Sequence, residues 1–312
     1  MLFNKNTIQI LRDLIKDEHV TDLCFSSQHL AFDRGHGMEE LRSFCFPEDE
    51  LKLWVLSELA KAQKTYDAKA PYCDVSLTHF EGTDIPIRMH VLFPPLHRNG
   101  ILVSLRCLKK NNANAAWRKD PLYSKLSTIV QNKETVLISG GTGAGKTSLM
   151  VALLEDIPSY ERILALEDTP ELRPEHPQFF ALSSRGTNSD GYGEVTLRAL
   201  LKQTLRMRPD RIVLGECRGE EVLDLLQSLN TGHRGTLATL HANSPREALK
   251  RIEILAALGA PQLPTSLVHE LVVLGVQWIA QVERTPQGRR VSDLSQIAGR
   301  EGTAILLRSV KS

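Results

Sequence analysis

The spacing of apolar and polar residues changes character about one third of the way along the chain. Residues 6–18 and 47–64 place apolar side chains every three or four positions, which predicts two helices, the second starting at Pro47. Alternating or short apolar runs predict strands at residues 20–25, 29–34, 74–80, 85–93 and 100–108. This mixture predicts a small α+β domain over residues 1–110.

The pattern then becomes strand, turn and helix in repetition. Residues 111–125 break the periodicity with asparagine, alanine and proline, and we predict a linker there. Short apolar strands are predicted at residues 135–140, 162–168, 211–216 and 235–241. Separated by helices, such strands are typical of a parallel sheet buried on both faces. The tail predicts antiparallel strands with a turn at Gly288, so residues 126–312 are predicted to form an α/β domain.

Composition and charge narrow the class of protein. The chain has 312 residues, of which 42% are apolar and 24% charged, as in ordinary globular proteins. Its net charge of +1 argues against a nucleic-acid-binding surface built on bulk charge. Five scattered cysteines suit reduced thiols, and no apolar run approaches the length of a membrane span. We expect a cytoplasmic protein that reaches a membrane only through partners.

A glycine-rich loop carries the clearest chemistry. Residues 140–147, "GGTGAGKT", match the phosphate-binding pattern G-x-x-x-x-G-K-[ST] between a predicted strand and a predicted helix. Backbone N–H groups would surround the phosphates, Lys146 would bridge the β- and γ-phosphates, and the Thr147 hydroxyl would bind Mg²⁺. The residues expected to bind ATP are Gly140, Gly141, Thr142, Gly143, Ala144, Gly145, Lys146, Thr147 and Ser148. The alternative is a strand–helix turn that binds no nucleotide.

Carboxylates end two of the predicted strands. The carboxyl ends of parallel strands meet at one edge of a sheet, so Glu167 and Glu216 are expected near the glycine-rich loop. We assign Glu216 as the general base for the attacking water and Glu167 to a supporting role at water or Mg²⁺. Asp168 is expected to cap the segment that follows it. The alternative is that these carboxylates only cap helices or pair with arginines.

Four motifs in order carry a resemblance to a known family. They are "GGTGAGKT", "ALEDTPEL", "TLRMRPDRIVLGECRG" and "NTGHRGTLATLHANSPREAL". Together they resemble the Walker A, Asp box, Walker B and His box of the type II/type IV secretion ATPase superfamily. The chain is most similar to the Tad-pilus ATPases, also called CpaF-type, and next to the conjugation ATPases of type IV secretion. The resemblance covers most of the chain and is strongest from residue 134 onward.

The resemblance implies an architecture and further site residues. It implies a homohexamer of RecA-like C-terminal domains beneath PAS-like N-terminal domains, with ATP and Mg²⁺ between the two domains of one subunit. Glu216 matches the family's Walker B glutamate and Glu167 its Asp-box glutamate. Arg88 and Arg106 match the N-domain arginines that reach the nucleotide, although both are also compatible with ordinary solvated strand positions. Candidates for contacts at the subunit boundary are Arg206, Arg208 and Arg211.

Two histidines are interpreted from the same context. A metal site at His233 and His241 would need further ligands, which the nearby sequence lacks, and the zinc-binding tetracysteine segment of many type II secretion ATPases is absent. We therefore expect no zinc. His241 ends a strand at the catalytic edge and is expected to sense the γ-phosphate. His233 precedes that strand and is expected to be structural or a relay, and a simple packing role remains open for both.

The expected function is an ATP-hydrolysing hexameric motor that powers assembly of a Tad or type IV-like pilus, or secretion, at the inner membrane. Its expected partner is an inner-membrane platform protein, with no direct binding of nucleic acid. The first alternative is a conjugation-type traffic ATPase. A RecA-like nucleic-acid motor would need a basic channel or stacking aromatics, and aromatic residues are only 5% of the chain. A non-hydrolysing scaffold would have lost Lys146 or Glu216, and no acceptor site for a small-molecule kinase is evident.

Overall fold

The chain folds into two compact units. The computed structural model describes residues 5–34, 37–109, 113–187, 192–285 and 288–310. One unit comprises Met1–Lys110 with Thr187–Gly193, and the other comprises Asn111–Gly186 with Glu194–Ser312. The predicted boundary near residue 110 and the first two residues of the predicted linker, 111 and 112, lie outside the described residues.

The first unit is a PAS-like α+β domain. Its helices are α1 (Lys5–Lys16) and α2 (Glu48–Lys61). Its strands are β1 (Asp22–Phe25), β2 (Leu30–Asp33), β3 (Met38–Glu40), β4 (Tyr72–Leu77), β5 (Ile87–Leu92) and β6 (Leu102–Cys107). The described strands form an antiparallel sheet in the order β3-β2-β1-β6-β5-β4. The pattern does not predict β3, because all three of its residues are exposed.

One face of this sheet packs on both helices. Trp54 of α2 lies in the middle of the core, and its ring centroid is 5.9 Å from that of Phe25 and 6.0 Å from that of Phe80. Leu11 and Ile15 of α1 are fully buried in the same core. The helical spacing of apolar residues in the sequence therefore marks the faces of α1 and α2 that cover the sheet.

The second unit is a RecA-like α/β domain. Its helices are α3 (Ala113–Trp117), α4 (Tyr123–Gln131), α5 (Lys146–Glu155), α6 (Leu197–Thr204), α7 (Glu221–Leu229), α8 (Pro245–Gly259) and α9 (Thr265–Gly275). Its strands are β7 (Val136–Gly140), β8 (Ile163–Glu167), β9 (Phe179–Ser183), β10 (Arg211–Leu214), β11 (Leu237–Leu240), β12 (Trp278–Thr285), β13 (Gly288–Glu301) and β14 (Ala304–Val310). None of the described helices combines the length and apolar character needed to cross a bilayer.

The described strands of this unit form a mainly parallel sheet in the order β14-β13-β12-β7-β11-β10-β8-β9. Strands β12, β7, β11, β10, β8 and β9 run parallel to one another, and β13 and β14 are added antiparallel beside β12. The fold class and the antiparallel tail are thus confirmed. In β7, Ile138 packs in one core and Leu137 in the other, because helices cover both faces. The central strands are therefore apolar without alternation.

The segment predicted as a linker differs from that expectation in its described part. Trp117 is only 2% exposed and packs in a core of the second unit together with residues of α5. Tyr123 is also buried, and its hydroxyl donates to Asp156 Oδ2 at 2.8 Å. The described part of this segment, residues 113–125, therefore belongs to the second unit. The stretch whose asparagines and alanines suggest a linker thus contains two buried aromatic side chains, Trp117 and Tyr123.

Arg211 corrects a prediction made for the subunit boundary. Its side chain is completely buried, and its Nε donates to Glu161 Oε2 at 2.6 Å. Its Nη1 also donates to the carbonyl of Val130 at 2.7 Å. A buried charge must be paired, and removing one partner of such a pair costs about 3–5 kcal/mol. Arg211 thus holds the start of β10 in the core, whereas Arg206 and Arg208 are exposed and their boundary role stays a prediction.

Candidate active site

The loop between β7 and α5 has the backbone conformation of a phosphate-binding loop. Gly143 and Gly145 have φ angles of +72° and +103°, which glycine adopts at little cost. Gly140 is required for a different reason, because a Cβ atom there would lie 2.6 Å from the carbonyl oxygen of Val282 on β12. Next to Gly141 and Gly143 there is open space. The loop is therefore packed on one side and open where its backbone turns.

Lys146 is folded over this loop. The residue is 7% exposed, and its Nζ donates to the carbonyls of Gly140 and Gly141, both at 2.9 Å. The same Nζ lies 3.3 Å from His241 Nδ1. Burial lowers the pKa of Lys146, and the charge of Glu216 acts in the opposite direction. A desolvated ammonium at the centre of the loop is well placed to bind phosphate oxygens.

The order of the parallel strands brings His241 and Glu216 to the loop. Strand β11 lies between β7 and β10, so the residues that follow β11 and β10 reach the same edge as the glycine-rich loop. His241 follows β11 directly, and its Nε2 is 3.1 Å from Glu216 Oε1. Lys146, His241 and Glu216 therefore form one cluster in the structure. The sequence predicts all three at this edge of the sheet. Their individual roles stay predictions.

Arg218 belongs to this cluster and was missed by the sequence analysis. Its Nη2 donates to Glu216 Oε2 at 2.6 Å. Burial raises the pKa of Glu216, but the hydrogen bond and charge of Arg218, together with the charges of His241 and Lys146, hold it below its ordinary value. Burial and the nearby Lys146 lower the pKa of His241. At neutral pH the cluster therefore contains an ionised Glu216 and a neutral His241. An arginine two residues after a strand-end glutamate is the signal that could have identified Arg218.

Glu167 and Asp168, at the end of β8, accept hydrogen bonds that differ from those predicted. Glu167 Oε1 accepts hydrogen bonds from the backbone N–H groups of Glu171 at 2.9 Å and Leu172 at 2.8 Å. Glu167 thus caps the segment assigned to Asp168, and that assignment is wrong. Asp168 instead accepts a hydrogen bond at 2.7 Å from the Oγ of Ser184, which directly follows the neighbouring strand β9.

The second carboxylate oxygen of Glu167 is left without a partner. Within the described part of the chain, Oε2 is buried and accepts no hydrogen bond. Burial raises the pKa of Glu167 to about 7, so both its protonated and its ionised forms are populated near neutral pH. The supporting role of Glu167 at water or Mg²⁺ stays a prediction. Its geometry makes it first of all a cap for the chain after β8.

His233 lies at the other end of its strand from His241. It precedes β11 by four residues, and its Nδ1 is 3.3 Å from the carbonyl oxygen of Ser228 in α7. Its own carbonyl accepts a hydrogen bond from Thr236 Oγ1 at 3.2 Å. These contacts favour the structural role over the relay.

Arg88 and Arg106 lie opposite each other in the first unit, as cross-strand partners on β5 and β6. Arg88 Nη2 is 2.6 Å from Asp74 Oδ2, and Arg106 Nε is 2.9 Å from Asp22 Oδ1. Two like charges directly opposite each other are unfavourable, and these aspartates offset that cost. The two arginines, each paired with an aspartate, lie on the face of the sheet that α1 and α2 leave uncovered. Their contact with nucleotide stays a prediction.

The start of α5 offers ligands for a nucleotide and a cation. Ser148 Oγ donates to the carbonyl of Gly145 at 2.9 Å and accepts from Trp117 Nε1 at 3.0 Å, which fixes the first turn of the helix. Thr147 is half-buried next to it. Among the described residues no group of three or more His, Cys, Asp and Glu side chains could hold a metal ion. The donor set fits Mg²⁺ that is bound by one hydroxyl and by phosphate oxygens.

Known proteins match the chain over most of its length. A family model described as "Type II/IV secretion system protein" matches residues 47–285. A putative conjugal transfer protein of Mycobacterium tuberculosis is 37% identical over 302 residues, covering 93% of this chain and 85% of that protein. The probable conjugal transfer protein TrbB of Sinorhizobium fredii is 39% identical over 275 residues, covering 84% and 78%. The pilus retraction motor PilT with bound ADP has a similar fold, with a TM-score of 0.69 at 20% identity over 100% of this chain and 84% of that one.

Removing Arg218 should change the titration of Glu216. In Arg218→Ala the carboxylate loses its charge-assisted hydrogen bond, so the pKa of Glu216 should rise relative to the unmodified protein. Carbon-13 NMR of the glutamate side-chain carboxyls across a pH series measures this directly. Arg308→Ala, on the edge strand β14, is the control and should leave the titration of Glu216 unchanged. An unchanged titration in Arg218→Ala would contradict the described geometry.

Proposed function

The chain belongs to the type II/IV secretion system protein family, and we propose that it is the ATP-hydrolysing motor of a conjugation-type secretion apparatus. The observation that carries the proposal is the cluster of Lys146, His241 and Glu216 at the phosphate-binding loop. A scaffold that binds nucleotide without hydrolysing it would have no need for an ionised carboxylate at this position. The cluster therefore supports hydrolysis rather than binding alone.

A role in conjugation-type secretion is better supported than a role in the assembly of a Tad pilus. Two relatives that match most of the chain, at 37% and 39% identity, are named for conjugal transfer. The likeness to PilT is at 20% identity and bears on the fold alone. Tad-pilus assembly is the second candidate and rests on the resemblance of the four sequence motifs. Complementation of a deletion strain, scored for DNA transfer and for surface pili, separates the two.

The residues of the loop suit binding of ATP with Mg²⁺. Backbone N–H groups of residues 141–147 and the Lys146 ammonium would hold the phosphates, and the Thr147 hydroxyl would bind the cation. Mg²⁺, when bound, supplies charge neutralisation at the β- and γ-phosphate oxygens. Lys146 would then exchange its bonds to the carbonyls of Gly140 and Gly141 for bonds to phosphate oxygens.

Glu216 and His241 suit the hydrolytic step. Glu216 is held ionised by Arg218, and so it can accept a proton from an attacking water. Its pKa below the ordinary value makes it a weak base, and positioning of the water is its larger contribution. Neutral His241 touches both Glu216 and Lys146, so it can report the presence of the γ-phosphate to either of them.

For Arg88 and Arg106 we propose contact with the nucleotide, as the resemblance to the family implies. Guanidinium groups that meet the γ-phosphoryl group would stabilise the charge that develops on it during hydrolysis. We further propose that the motor is a homohexamer in the cytoplasm that docks on an inner-membrane protein of the secretion machine. These statements rest on the family and on the location of the two arginines on an uncovered sheet face.

Replacement of Lys146 tests the catalytic assignment. Lys146→Ala removes the buried ammonium and should reduce ATP hydrolysis at least a hundredfold, because the loss spans both phosphate binding and stabilisation of developing charge. Release of inorganic phosphate is the measurement. Lys119→Ala is the matched control, because Lys119 is an exposed lysine of the same unit. This variant should hydrolyse ATP at the rate of the unmodified protein. Full hydrolysis by Lys146→Ala would contradict the assignment.

The oligomeric state tests the proposal that the protein works as a hexameric motor. In the presence of Mg²⁺ and a non-hydrolysable ATP analogue, light scattering should approach six times the chain mass of 34.8 kDa. Measurements over a range of protein concentrations give the assembly constant. A monomer that persists at all concentrations, with nucleotide bound, would count against a hexameric motor.

A further inference from the structure

Two paired strands, β12 and β13, lie beside the phosphate-binding loop and have no role in the proposed function. The paired strands β12 and β13 press on the loop, since Val282 of β12 contacts Gly140. Val291 of β13 is buried in the same core as Ala144 of the loop, and its N–H donates to Asp120 Oδ2 at 2.9 Å. The start of β13 is therefore held in a fixed place beside the loop.

Arg289 projects from this hairpin onto the loop. A Cβ atom built on Gly145 would lie 2.6 Å from Arg289 Cδ, so the stem of the arginine is in contact with the glycine at the start of α5. The second atom near the same point belongs to Trp117, at 3.0 Å. Glycine at position 145 is thus needed for the approach of Arg289 as well as for its positive φ angle.

Among the described residues, no carboxylate pairs with the guanidinium of Arg289. Within the described part of the chain, the structure gives it no ion pair and no hydrogen bond. Its cross-strand partner is Arg284, another cation. Burial beside the loop lowers the pKa of Arg289, and the charge of Arg284 lowers it further. The next residue, Arg290, instead pairs with Glu283 at 2.6 Å.

The side chain of Arg289 stays exposed to solvent, so its unpaired charge is accessible to an anionic ligand. The position of Arg289 indicates which anion. Gly145 is the N-cap of α5 and Ser148 lies in its first turn, where the backbone of such a loop surrounds the α- and β-phosphates. Lys146 reaches instead toward His241 and Glu216, where the γ-phosphate is expected. The planar guanidinium also matches phosphate oxygens in a bidentate geometry that lysine does not offer.

We propose that Arg289 is a second cationic ligand of the nucleotide and binds its α- and β-phosphate oxygens from the β12–β13 hairpin. This inference rests on the proposed function, because it requires that the loop binds a nucleoside di- or triphosphate. It makes the C-terminal hairpin part of the nucleotide site. Arg289 thus binds ADP and ATP alike, whereas His241 and Glu216 act on the γ-phosphate.

Variants at two adjacent arginines test the inference. Arg289→Met keeps an apolar stem against Gly145 and removes the charge, and Arg290→Met is the matched control on the same strand. We expect Arg289→Met to bind Mg–ADP and a non-hydrolysable ATP analogue each about tenfold more weakly, as for loss of one charge-assisted hydrogen bond. Arg290→Met should bind both as the unmodified protein does. Fluorescence titration of the full chain gives both dissociation constants.

The dependence of ADP affinity on salt separates a charge contact from packing. Loss of a phosphate-binding cation should make the dissociation constant of Arg289→Met less sensitive to NaCl than that of the unmodified protein. Equal affinity, equal salt sensitivity, or a loss confined to the ATP analogue would each overturn the inference. If these results are found while Lys146→Ala still abolishes binding, the proposed function stands without it. Failure of the unmodified chain to bind any nucleotide would overturn both.

Discussion

The parallel pairing of β11 between β7 and β10 is the constraint on which the site depends. It places the ends of three strands at one edge of the sheet, so that Lys146, His241 and Glu216 come within contact of one another. A shift of one residue in this pairing would turn each strand-end side chain to the other face of the sheet. Each central strand contributes side chains to two separate cores, which hold it from both faces.

The charged residues at the two ends of β10 have different roles: those at its start stabilise the fold, and those beyond its other end belong to the candidate active site. At the start of the strand, Arg211 and Glu161 form a fully buried ion pair that ties the strand to its surroundings. Beyond its other end, Glu216 is only partly buried and is balanced by Arg218, Lys146 and His241. The first pair is closed to solvent and ligands. The second group retains access, which is what a site for an anionic substrate and an attacking water requires.

Much of this organisation could be predicted from the sequence because periodicity and motif spacing are local signals. The glycine-rich loop, the strand-end Glu216 and His241 and the antiparallel tail all lie where the pattern put them. Contacts between distant segments left no such signal. Trp117 lies in a stretch rich in asparagine and alanine, and only the fold shows that it packs beside Gly145. The burial of Arg211, the capping by Glu167 and the approach of Arg289 depend in the same way on long-range packing.

The claim that this edge of the sheet hydrolyses ATP is tested most directly by the fate of the nucleotide in Glu216→Gln. Glutamine keeps the size of the side chain and can still accept from Arg218, so the loop and its ligands should remain in place. The protein is incubated with ATP and Mg²⁺, free nucleotide is removed, and the retained nucleotide is identified by chromatography. We expect bound, unhydrolysed ATP in the variant and ADP in the unmodified chain. Bound ADP in the variant, or a failure of the variant to bind ATP at all, would contradict it.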